Sequence, residues 1–244
     1  MTTAEMLIAA AGLAIAGLVK GATGIGYSTT ALPIVALAIG LERAMPLVIL
    51  PSLSSNLSVM LGASEFRSSL YRFRTLYVAL VPGLMTGLYL LARVPTSSAA
   101  RVLGFVILAY ALYTSVRPDL RIANAHESWL NVPVGFCNGL INGLTGSQIM
   151  PVVPYALSLG LAPDALLQLT NIAFTLSSLV MIGGLAKIGF LSDGVLLLSI
   201  CGIIPGLTGV AAGARLRRHI SPAAFRKAVL VVLSIMAALL IVGR

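Results

Sequence analysis

Apolar runs of helical length follow one another from Leu7 to Val242, with only short polar breaks between them. Each long run approaches the roughly 20 residues that span a hydrocarbon core. Charged residues make up 9% of the 244-residue chain and hydrophobic residues 58%. A soluble domain carries about 25% charged residues, so this chain lacks the means to cover a water-facing surface. The expected fold is an all-α integral membrane protein with about 8–10 transmembrane or half-membrane helices in two inverted repeats. No basic stretch precedes Leu7, so the first run is expected to be a membrane segment and not a cleaved leader. The net charge of +9 comes from basic residues at loop ends, beside lipid headgroups, which excludes nucleic acid as the partner. Cys137 and Cys201 lie in apolar segments and read as small packing residues, with neither a disulfide nor a metal site expected.

Apolar runs read against turn signals give ten segments, at about 5–20, 26–40, 44–62, 72–92 and 99–116, then about 130–142, 147–160, 164–184, 189–213 and 222–242. This predicts a first membrane repeat over 1–116, a central cytoplasmic loop over 117–129 and a second membrane repeat over 130–244. The landmarks recur in order. A glycine-broken helix (Gly21–Gly26, then Gly143–Gly146) is followed by a proline (Pro33, Pro154) and a glycine turn at Gly40 and Gly160. Gly62 and Gly183 come next, then Pro82-Gly83 and Pro205-Gly206, and the last segments open at Ser97 and Ser221. Segments 2 and 7 are too short to span, as are 1 and 6 if they end at the glycines; segments 1 and 2 form either a re-entrant hairpin or two tilted spans. In both cases three further spans per repeat would bring the second half into the membrane inverted.

The charges orient this scheme. Arg67, Arg72, Arg74, Arg117, Arg121, Arg215, Arg217, Arg218, Arg226 and Lys227 flank the loops of one side, against Arg43, Arg93, Arg101, Lys187 and Arg244 on the other. The more basic side is expected to be cytoplasmic, which puts both termini in the periplasm of a multi-pass inner-membrane protein.

All seven acidic residues and both histidines fall in loops or at segment ends. No carboxylate is left at depth to chelate a cation or relay protons, and no cluster is left for an intramembrane enzyme. Catalytic residues, metal ligands and cofactors are therefore not expected. Small polar residues surround the two breaks instead. A helix restarting after glycine presents unpaired N–H groups and the positive end of its dipole, and two such restarts facing each other near the midplane would cradle a small oxyanion. The expected substrate-binding set is Thr23, Gly24, Gly26, Tyr27, Ser28, Asn56, Asn142, Thr145, Gly146, Ser147, Gln148 and Asn171. Each hydroxyl has helix packing as an alternative role. Lys20 is left open between attracting an anion and snorkelling to a headgroup.

The Gly-rich break running into a proline, then a glycine turn and an alanine-led helix, occurring twice, resembles the TauE/SafE sulfite exporter family. The likeness runs from about Gly17 to Gly243. That family carries a G-x-G-G-G stretch in each half; here the first copy reads Gly21-Ala-Thr-Gly-Ile-Gly-Tyr27, and the second departs further, with Ser147 and Gln148 where glycines are usual. The resemblance implies export of sulfite, an organosulfonate or a related small organic anion. The added donors Asn142, Ser147 and Gln148 would suit a substrate with more oxygens than sulfite. A carrier for a small non-sulfur carboxylate and a non-transporting membrane assembly factor are the alternatives. The expected partners are the small anionic substrate, the lipid bilayer and, as an option, a second copy in a homodimer.

Overall fold

The computed structural model describes residues 1–116, 121–122, 124–219 and 221–243. It contains twelve helices among the described residues: α1 (Thr3–Thr23), α2 (Tyr27–Ile39), α3 (Leu41–Gly62), α4 (Phe66–Arg72), α5 (Arg74–Leu91), α6 (Thr96–Val116), α7 (Asn124–Thr145), α8 (Val152–Ser158), α9 (Pro163–Lys187), α10 (Asp193–Cys201), α11 (Ile203–Leu216) and α12 (Pro222–Val242). Seven stretches are long and apolar enough to cross a membrane, with α10 and α11 counting as one. The ten expected segments map onto these elements in order. The fourth is preceded by the short α4, and the ninth is interrupted at Gly202.

Several boundaries differ from expectation. Helices α1 and α7 have 21 and 22 residues, about 31 and 33 Å at 1.5 Å per residue. They are therefore not half-helices that end early at Gly21 and Gly143. Helix α7 begins at Asn124, inside the stretch expected to be loop. Residues 117–120 and 123 of that loop, with Arg117 and Asp119, lie outside the described residues, as does Arg244. Cys137 and Cys201 are exposed on the helical surface and do not pack inside.

Glycine sets the tightest contacts. A Cβ placed on Gly83 or Gly139 would lie 2.1 Å from the carbonyl oxygen of Phe136 or Leu80, and one on Gly87 or Gly143 would lie 2.3 Å from that of Leu140 or Leu84. Helices α5 and α7 thus touch backbone to backbone. Matched positions rise together along both chains, so the pair is parallel. The same happens between α1 and α11, where Gly17 meets the Gly206 carbonyl at 2.2 Å and Gly213 meets that of Leu18 at 2.1 Å. In lipid, where burying apolar surface gains little, such small-residue seams let backbones approach and dispersion accumulate. Gly21, Gly139 and Gly143 belong to these seams and not to the breaks.

The first helix of each half therefore packs on the fourth segment of the other, while α3 packs against α9 and α6 against α12. The α3/α9 pair is antiparallel. Gln168 donates to the Met60 and Ala63 carbonyls at 2.9 and 2.8 Å, and the Ser64 amide donates to Asp164 at 3.2 Å. Pro51 inside α3 cannot bond the Leu47 carbonyl one turn back. Ser199 of α10 donates to that carbonyl at 2.9 Å instead.

Candidate functional site

Helix α1 stops where Gly24 adopts φ 81°, its N–H closing on the Lys20 carbonyl at 2.6 Å. Helix α7 stops in the same way: Gly146 has φ 76°, and its N–H closes on the Asn142 carbonyl at 2.7 Å. Glycine is required because the left-handed region costs other residues about 1–2 kcal/mol. Both glycine amides are spent as helix caps, so neither is a free donor.

The chain leaves the two breaks in different ways. After the first, Gly26 at φ 89° serves as the N-cap of α2 without a side-chain cap, and its carbonyl takes the Thr30 amide at 3.1 Å. The amides of Tyr27, Ser28 and Thr29 are the first of α2 and have no intrahelical partner. After the second break the chain does not restart at Ser147. It is non-helical over 147–149 and turns at 150–151, and α8 has only seven residues. Asn138 holds this stretch by donating to the Gln148 and Met150 carbonyls at 2.9 and 2.8 Å. The expectation of two facing helix restarts therefore holds for one break only.

The breaks also sit at different levels. Gly24 abuts Leu167 near the start of α9, and Gly146 abuts Met45 near the start of α3. Because α3 and α9 are antiparallel, the two glycines lie towards opposite ends of that pair. Side chains bridge the space between. The Lys20 ammonium donates to Asn56 Oδ1 at 2.5 Å and Asn171 Oδ1 at 2.6 Å, and it lies 5.6 Å from the centre of the Phe174 ring. Asn171 in turn donates to the Gly24 and Leu167 carbonyls at 3.3 and 2.8 Å. On the far side of Phe174, Gln148 Nε2 donates to the Phe174 carbonyl at 3.3 Å and to Ser178 at 3.0 Å. Its Oε1 accepts from Ser28 at 3.4 Å, and Ser28 pairs with Ser52 at 2.8 Å.

Of the expected set, Asn56, Asn171, Ser28 and Gln148 come together in this polar zone. Gly24 and Gly146 frame it. Asn142, Tyr27 and Ser147 are buried with their side-chain Nδ2, hydroxyl and hydroxyl unpartnered among the described residues. Tyr27 points away, towards Gly206. Thr23 and Thr145 are corner pieces. Thr23 is exposed and donates to the Val19 and Ile25 carbonyls at 2.8 Å each; Thr145 donates to the Ile141 carbonyl at 2.6 Å. Gly26 has open space where a Cβ would go.

Sequence reasoning left Lys20 out of the set, yet it is the centre of the first cluster. It is 0% exposed, so it does not snorkel to a headgroup. The ion pair found among the described residues, Arg72 with Glu127 at 2.7 Å, lies elsewhere, where α4 meets the start of α7. No group of three or more potential metal-ligating side chains occurs among the described residues.

A family model described as sulfite exporter TauE/SafE matches residues 8–240, nearly the whole chain. The chain belongs to the TauE/SafE family. This makes it a multi-pass membrane protein of a transporter family. No curated protein and no solved structure matches it. In this TauE/SafE protein the Gly-rich motif marks two helix corners, and the polar side chains between them come from α1, α2, α3, α9 and the non-helical link between α7 and α8. Asn56 has its Nδ2 unpartnered, and Lys20, Asn56, Asn171, Ser52 and Gln148 are all closed to solvent. A buried, donor-rich zone of this kind, with a cation and no carboxylate, can solvate an anion by hydrogen bonds alone.

Proposed function

We propose that this TauE/SafE protein is a secondary transporter that exports sulfite, an organosulfonate or a related small organic anion by alternating access. The observation that carries the reading is Lys20: a cation buried between α1, α3 and α9, held by two amide oxygens and facing no carboxylate among the described residues. Ionisable side chains inside a membrane domain are costly and mark substrate or ion pathways. In the same zone, the first amides of α2, the Asn56 Nδ2 and the Ser52–Ser28–Gln148 chain supply donors for an oxyanion. The closed state of the zone fits an occluded conformation, opened in turn to each side of the membrane.

An inverted relation between the halves is part of the same reading. Its support is the exchanged pairing, α1 with α11 and α5 with α7 in parallel, together with the antiparallel α3/α9 pair. The basic loop residues favour an inner-membrane protein with both termini in the periplasm. Counterflow in proteoliposomes tests the function, using labelled sulfite with unlabelled sulfite, an organosulfonate or a monocarboxylate inside. Sulfur-anion counterflow is the expected result. Cation flux with no anion dependence would refute it.

A further inference from the structure

Lys20 is the lone basic or acidic side chain of the polar zone among the described residues, and its surroundings define how much negative charge the zone can take. On the elements packed around it, the other charged groups sit at helix ends. Glu42 and Arg43 open α3, Asp164 and Lys187 bound α9, and Arg215 is in the last turn of α11. Glu42 is fourteen residues from Asn56 on α3, about 21 Å along the axis. Asp164 is seven residues from Asn171 on α9, about 10 Å away, and its carboxylate is taken up by Ser64 at 2.5 Å. The titratable Tyr27 turns its hydroxyl to Gly206.

The second half does not supply a matching charge. The offset that carries Gly24 onto Gly146 carries Lys20 onto Asn142, a neutral amide that is 1% exposed with its Nδ2 unpartnered. The zone therefore holds one cation, not two, beside neutral donors. An ammonium has three N–H groups; two are committed to Asn56 and Asn171, which leaves one for a ligand. The Asn56 amide nitrogen lies on the same side chain that holds Lys20 and has no partner.

We propose that the site is matched to ligands of single negative charge, with Lys20 neutralising the bound oxyanion and Asn56 Nδ2 donating beside it, so that dianions are rejected by charge count and not by size. The inference rests on the transport reading above. A dianion would leave one charge uncompensated in a low-dielectric interior, and a neutral ligand would leave Lys20 uncompensated.

Three small sulfur probes separate these cases at neutral pH: methanesulfonate with one charge, sulfate with two and methanesulfonamide with none. Thermal stabilisation of the purified full-length protein, titrated with each, reports apparent Kd. Methanesulfonate should bind roughly tenfold to a hundredfold tighter than either of the others, the range of a hydrogen bond to a charged group. K20Q should erase that preference, and N142K, which adds a second cation at the related position, should shift it towards sulfate. Sulfate binding as tightly as methanesulfonate to the native protein would overturn the proposal. So would K20Q with an unchanged methanesulfonate Kd, and this variant decides the matter if N142K does not fold. A native protein that moves sulfite while failing the charge test loses this inference alone; one that neither binds nor moves any of these anions or sulfite loses the transport reading as well.

Discussion

Replacing Lys20 with methionine separates a structural brace from a functional charge, because a brace predicts lost stability with flux intact and a functional charge predicts lost flux with stability largely kept. A lysine at the centre of a membrane helix costs about 2.5–3.5 kcal/mol on insertion scales, an upper bound for Lys20, which sits in the last turn of α1. Against that stand its two hydrogen bonds, to Asn56 at 2.5 Å and Asn171 at 2.6 Å. Side-chain hydrogen bonds within membranes average about 0.6 kcal/mol each, with a maximum of about 1.7. Taking the average, removal loses about 1.2 kcal/mol and regains at most about 3; taking the maximum, the loss of about 3.4 is offset by at most about 3. Methionine has a similar reach and would fill the space beside Phe174. Lys20→Met should therefore cost at most about 1 kcal/mol of stability and raise it by at most about 2, while anion counterflow disappears. Reversible SDS unfolding in mixed micelles gives the stability, and proteoliposomes give the flux. A loss of more than about 1 kcal/mol with counterflow intact would show that Lys20 is a cross-brace, and the functional reasoning would fail with it.

Gly24→Val should abolish transport in protein that still inserts, since a Cβ there would lie 2.4 Å from Leu167 at φ 81°; normal flux in proteoliposomes would make that corner dispensable. Gly139→Leu should cost more than Gly26→Ala in the same unfolding assay, because its side chain would strike the Leu80 backbone at 2.1 Å whereas Gly26 faces open space; the strain of a forced core insertion is about 1–3 kcal/mol, against about 1–2 kcal/mol for φ 89° alone. Gln148→Ala should shift preference among sulfur anions more than it lowers total flux, measured by competition against labelled sulfite; equal loss for every anion would count against it. Cysteine labelling of the termini with impermeant reagents should find both accessible from the periplasm, and protection of both would reverse the orientation.

Much of the fold was legible because hydropathy and glycine spacing act locally. Ten apolar runs became ten helical segments, and Gly24 and Gly146 were visible as corners because little else ends a helix at positive φ inside lipid. The features that stayed hidden depend on partners distant in sequence. Lys20 stands between Val19 and Gly21 near the end of an apolar run, which reads equally as a snorkelling residue; only α3 and α9 folding over it decide otherwise. Gly21 and Gly143 looked like part of the breaks because a seam glycine and a corner glycine are the same residue with different neighbours. Asn138 holds the backbone between the second break and α8, a task that exists only because α8 starts late. Ser28, Asn56, Gln148 and Asn171 of the expected set share the buried polar zone, whose donors come from side chains more than from glycine amides.

The two glycine seams have a mechanical consequence. At the seam glycines of α5 with α7 and α1 with α11 no side chain separates the backbones, so each pair is expected to move as one stiff bar. Each bar is made of one helix from either half of the chain. The halves visible in the sequence are therefore not the parts that can swing against each other, and cutting the chain between them would cut across both bars. Motion has to be taken up where side chains interdigitate, along α3 and α9, and by the short α2 and α8 beside the corners. Those are the contacts whose loosening would first let water reach Lys20.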